Sequence, residues 1–163
     1  MVVLKWLAIA IVALIVLAVL AGQLGLLQGK PPSNLGVRDG RLKPPAKTPN
    51  SVSSQALLHP DHPMRDAALI APLPLKGGGP ATVARIKQIV EGLPGARVVK
   101  SAPDYLYAQF TTPLMKFIDD TEFWFDPAAG VVQVRSASRV GRGDRGLNRA
   151  RVEAVRVALA AAP

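Results

Sequence analysis

The chain has 163 residues, 20 basic against 11 acidic, a net charge of +9 and no cysteine. Disulfides, thiolate metal sites and cysteine nucleophiles are therefore excluded, and the length accommodates one domain once a membrane segment is set aside. The positive balance suits membrane lipid, a small anion or an anionic polymer as partner, and equally keeps a domain soluble beside a membrane.

Between Trp6 and Leu27 the only strongly polar side chain is Gln23. At ~1.5 Å per residue this run makes roughly 33 Å of helix, enough for a hydrocarbon core in which only a helix satisfies its own backbone. Residues 1–28 are read as a transmembrane anchor or signal segment. Val19-Leu20-Ala21 offers a cleavage site, but the run exceeds the ~7–15 residues of a cleavable signal, which favours an anchor. Leu20-Ala21-Gly22-Gln23 is shaped like a lipoprotein box with glutamine in place of the acylated cysteine, so no lipid is attached there. Lys5 precedes the span, while Lys30, Arg38, Arg41, Lys43 and Lys47 follow it. By the positive-inside tendency this order puts the domain in the cytoplasm. The short N-terminus with one lysine reads instead as an export signal. The reading adopted is a bacterial inner-membrane anchor with the domain in the periplasm.

Residues 29–63 read as a proline-rich linker, extended and irregular, because Pro31-Pro32, Pro44-Pro45 and Pro49 break every period. Residues 64–163 read as the domain. Gly77-Gly78-Gly79-Pro80 opens a helix whose apolar stripe is Val83, Ile86, Ile89, Val90 and Leu93, stopped by Gly92 and Pro94-Gly95. Four strands follow at 96–101, 105–112, 117–125 and 131–140, with Asp126-Pro127-Ala128-Ala129-Gly130 as the last turn. In the third, Phe117, Thr121, Phe123 and Phe125 share one face, and Asp120, Glu122, Trp124 and Asp126 the other. A four-residue turn pairs Phe123 with Val134, Thr121 with Ser136 and Glu122 with Arg135. Alternation of this kind predicts one buried and one wet face. A closing helix starts near Gly146 with Leu147, Val152, Val155 and Leu159 as its stripe. The expected fold is α+β: one N-terminal transmembrane helix, then a two-layer domain of order α-β-β-β-β-α, an antiparallel four-stranded meander packed on two helices.

The densest chemistry is Arg135-Ser136-Ala137-Ser138-Arg139, a glycine-rich turn, and Asp144 to Arg151. If Arg139 and Arg149 converge on the N-terminus of the last helix, with Asn148 and Ser138 beside them, the corner binds a small anion. If Asp144 caps the helix, the protein's own carboxylate fills that place. Ser136 and Ser138 lack an adjacent base, so no catalytic residue is assigned. His59, Asp61, His62 and Asp66 read as a solvated loop and not a metal site, and no cofactor is expected. Asp119 and Asp120 point to opposite faces of a strand, which argues against a shared proton. Tyr105, Tyr107 and Phe110 read as ordinary strand residues, so nucleic acid is not favoured.

Leu42-Lys43-Pro44 through Ser54, Ile70-Ala71-Pro72-Leu73, the Asp119-to-Phe123 strand and the Arg135-to-Arg151 block together resemble the family catalogued as domain of unknown function 1499. The resemblance covers about Gly36 to Leu159. It implies a domain found in bacteria and plastid lineages, often attached to membrane segments, with no activity to carry over. The family commonly has two cysteines where Pro45 and Ser51 stand here, so any thiol role of its members does not transfer.

The reading preferred from these residues is a non-enzymatic, membrane-anchored extracytoplasmic domain that binds an anionic ligand or partner through the strand-turn-helix corner. Two alternatives stand beside it: a hydrolase or transferase using Ser136, Ser138 and the arginine block, and a cytoplasm-facing scaffold gripping anionic lipid.

Overall fold

A computed structural model describes residues 1–162. Helix α1 (Val2–Gln23) is long and apolar enough to cross a membrane. Most of it is exposed, and Gly22 near its end is buried by the rest of the protein. The expected meander follows: β3 (Ala96–Ser101), β4 (Tyr105–Thr111), β5 (Ile118–Asp126) and β6 (Val131–Ser138), all antiparallel. Phe123 pairs with Val134, Thr121 with Ser136 and Glu122 with Arg135, as the turn length requires. Two short strands, β1 (Ser51–Ser53) and β2 (Leu73–Pro74), extend the sheet by pairing with the far edge of β6. Neither is legible as a strand from periodicity. Each is too short to show alternation, and each exists because β6 would otherwise present open hydrogen-bonding groups.

Helices α3 (Gly79–Glu91) and α4 (Leu147–Ala161) lie on one face of the sheet, with the short α2 (Arg65–Ala68) beside β1. Val83, Ile86 and Val90 of α3 and Val152, Val155 and Leu159 of α4 close over Leu106, Ala108, Phe110, Phe123, Val132 and Val134. Each such valine, isoleucine, leucine or phenylalanine side chain, fully buried, contributes ~1.5–3 kcal/mol. Leu147 leaves the expected stripe: it lies 42% exposed at the start of α4.

The opposite face is not wet. Asp120, Glu122, Trp124, Gln133 and Arg135 are all buried, and the segment read as a linker covers them. Leu42 packs with Tyr105 and Trp124, joined by Val37, Ala102 and Tyr107. Before β1 the strap is irregular, as its prolines dictate, with one local bridge between Arg38 and Arg41, so most of its backbone polar groups there have no ladder to join. The sheet's polar side chains and Gln55 serve them instead. Gly36 N–H donates to Glu122 Oε1 at 2.6 Å, Arg135 Nε to the Pro44 carbonyl at 3.0 Å, and Leu42 N–H to Gln55 Oε1 at 2.8 Å. Alternation correctly separated the two faces. It could not tell a solvated polar face from one buried under irregular chain.

Candidate functional site

The corner after β6 does not assemble as an anion site. Asp144 accepts Gly146 N–H and Asn148 N–H, both at 2.9 Å, and the Asn148 amide at 2.8 Å. Burial pushes the Asp144 carboxyl up, but the donors of Asn148 and Gly146 outweigh it and hold the carboxyl below its ordinary value. The first turn of α4 thus already carries an anion, the protein's own. Arg149 turns away and donates to the Ala67 and Leu69 carbonyls at 3.1 and 2.8 Å, tying α4 to α2. Arg139 grips Asp120 with two bonds of 2.8 Å. The two arginines line different hollows, of about 140 Å³ for Arg149 and about 310 Å³ for Arg139. Asn148 and Ser138 meet, with the Asn148 amide donating to Ser138 Oγ at 3.0 Å. Asn148 is wholly buried and also receives the Ser136 hydroxyl, which pairs in turn with Thr121 at 2.7 Å. Ser136 is therefore sealed into the packing of α4 on the sheet, with no titratable base among its partners.

What the fold does assemble is a cleft on the strap side of β6. Its walls include Lys30, Lys43, Asp120, Arg135, Ser138 and Arg139, with Pro32, Pro45, Ala46 and Ala137 between them. Four cations face one carboxylate there. Asp120 is engaged by Arg139 and by the Tyr107 hydroxyl. Arg135 is the most deeply set of the four cations, by its burial beside Glu122. It is 4% exposed, lines the cleft, and spends its Nε on the Pro44 carbonyl. Its nearest counter-charge is Glu122 Oε2, 3.9 Å from Nη1. That carboxylate is only partly bonded: Oε2 is buried with no hydrogen-bond partner, while Oε1 takes Gly36 N–H and the Tyr105 hydroxyl at 2.7 Å.

Charge in this layer is set mainly by burial. Burial pushes the Glu122 carboxyl up, against the Gly36 and Tyr105 donors and the Arg135 charge. Burial also pulls Arg135 down, opposed by Glu122 and Asp120. Lys43 is lowered first by burial and then by Arg135, although its ammonium reaches Asn34 at 2.7 Å. Three of the cleft's cations were missed as site residues. Arg135 sat on a face read as wet, and Lys30 and Lys43 sat in a segment read as linker. A visible pointer was the density of charge on that face beside a proline-rich stretch that needs backbone partners.

On the helix side, Asp119 faces Arg151, whose Nη2 lies 3.0 Å from Oδ2. The contact is off the line of a directed bond, since that oxygen has no hydrogen-bond partner, and charge holds it. Asp119 and Asp120 thus diverge to opposite faces, as strand alternation requires. No cluster of three His, Asp or Glu side chains able to hold a metal occurs among the described residues.

Residues 41–159 match the family described as "protein of unknown function (DUF1499)". The match covers most of the chain, which belongs to that family. No curated protein and no solved structure matches it.

Proposed function

Since membership of the DUF1499 family assigns no chemistry, we propose from the site itself that this is a membrane-anchored domain that holds a small phosphate- or carboxylate-type anion. The seat is the cleft between the strap and β6. In this reading α1 is the anchor, in a bacterial inner membrane, with the domain in the periplasm. The protein acts by binding and not by catalysis. Arg135 carries the reading: a nearly buried guanidinium on the cleft wall has Glu122 no closer than 3.9 Å as its ion-pair partner, which leaves room for an anion better placed. Arg139 and Ser138 belong to the same wall, so part of the arginine-serine block still serves the anion. Asn148, Asp144 and Arg149 instead build the corner behind it. Lys30 and Lys43 add charge from the strap, and a bidentate guanidinium contact in a half-dry cleft gives selectivity for planar or tetrahedral oxyanions.

The test is calorimetric titration of inorganic phosphate into the full chain in detergent micelles, at low salt. Saturable binding is expected, weakened about tenfold in Arg135→Lys, which keeps the charge but loses the fork, and severalfold in Lys43→Ala. Arg149→Ala should leave it unchanged. Absence of binding to the wild type, or loss in Arg149→Ala alone, overturns the cleft. Topology is tested apart, by protease added to spheroplasts: digestion of the domain supports export, and protection until lysis refutes it.

A further inference from the structure

The C-terminal end of α1 does not hang free of the domain. Gly22 is buried against the β4–β5 loop so closely that a Cβ there would stand 2.7 Å from the Met115 carbonyl oxygen. Gln23 donates its amide to the Pro113 and Leu114 carbonyls at 3.3 and 2.7 Å. The chain then crosses to the far end of β6, where Gly29 packs on Arg139 and Val140. The start of β5 and the end of β6 are therefore fixed at the level where the apolar helix stops. A hollow of about 410 Å³ opens there between the two loops, lined by Phe117, Val140, Arg145 and Leu147 among others. Its acidic members are spoken for, Asp119 by Arg151 and Asp144 by the first turn of α4. Around it the surface is apolar and basic: Leu24 is 75%, Leu114 59% and Leu147 42% exposed, with Lys116, Arg142 and Arg145 alongside.

We propose that this end of the domain is a second, interfacial membrane contact: the β4–β5 loop and the β6–α4 loop seat on the anionic lipid surface that α1 enters. The occupant follows from continuity with α1. A helix of this length ends in the headgroup layer. Loops bonded to its last turn share that depth, where exposed leucines meet acyl chains and cations meet phosphates. The inference rests on α1 being an uncleaved anchor and is independent of the anion cleft.

Because the chain has no cysteine, single spin labels report depth without background. Leu114→Cys and Leu147→Cys are labelled in the full chain reconstituted into nanodiscs containing phosphatidylglycerol. Ala128→Cys, in the β5–β6 turn at the other end of strands nine and eight residues long, is the control, ~25–30 Å away. An unchanged near-ultraviolet circular dichroism spectrum verifies folding. Labels at 114 and 147 should be relaxed severalfold more by oxygen than by a water-soluble nickel chelate, relative to 128. A chain held in the nanodisc with all three labels equally aqueous overturns the seat while sparing the anchor. A chain that fails to incorporate overturns both.

Discussion

Asn148 holds the β6–α4 corner together, and replacing it separates lost bonds from misplaced charge. Its amide nitrogen faces the Asn50 carbonyl at 3.1 Å, Ser138 Oγ at 3.0 Å and Asp144 Oδ2 at 2.8 Å. Its oxygen receives Ser136 and, at 3.3 Å, Arg151. In Asn148→Ala several of these neighbours keep a second partner: Ser136 keeps Thr121, and Asn50 keeps the Ser138 N–H at 3.0 Å. The expected loss is therefore about 2–4 kcal/mol, a few net hydrogen bonds plus a small void. Asn148→Asp keeps the volume but sets an oxygen where the amide nitrogen stood. Two full charges at 2.8 Å repel by ~6 kcal/mol at an effective dielectric near 20, partly offset by Arg151. This variant should lose about 4–6 kcal/mol at pH 7, more than alanine, against a typical total of ~5–15 kcal/mol. The introduced carboxyl has its folded-state pKa raised, so its penalty appears as pH rises above the ordinary aspartate range and fades below it. Urea unfolding followed by near-ultraviolet circular dichroism, between pH 4.5 and 8, measures both variants. An Asn148→Asp protein as stable as Asn148→Ala at pH 7, or a pH-independent gap between them, refutes the reasoning.

Gly79→Ala should destabilise by about 1–3 kcal/mol, because a Cβ there would lie 2.3 Å from the Phe125 ring; thermal unfolding checks it, and an unshifted midpoint contradicts the packing of α3 on β5. For Glu122, burial raises the folded pKa above the ordinary 4.5, so its contribution to stability falls as pH rises from that value. Glu122→Gln should remove this slope, and parallel urea midpoints for wild type and variant from pH 4 to 8 would show that the carboxyl is not buried in the charged layer.

The sequence by itself determined what depends on neighbours along the chain. An unbroken apolar run of spanning length made α1. Pro80 and Gly92 bounded α3, and the Pro127–Gly130 turn set the β5–β6 register residue by residue. These are local quantities, settled within a few residues by turn geometry and side-chain alternation. Tertiary structure alone decided the rest. It laid the proline-rich strap over the polar face, because irregular backbone needs partners and Glu122, Arg135 and Gln55 supply them. It sent Arg149 to α2 and Arg139 to Asp120, when adjacency in sequence had suggested that both would meet at α4. An arginine reaches several ångströms in any direction, so its partner is chosen by which element packs beside it and not by its neighbours in the chain. The cleft at Arg135 exists for the same reason: its cations come from Lys30 and from Arg139, far apart in sequence and joined only when the strap closes on β6.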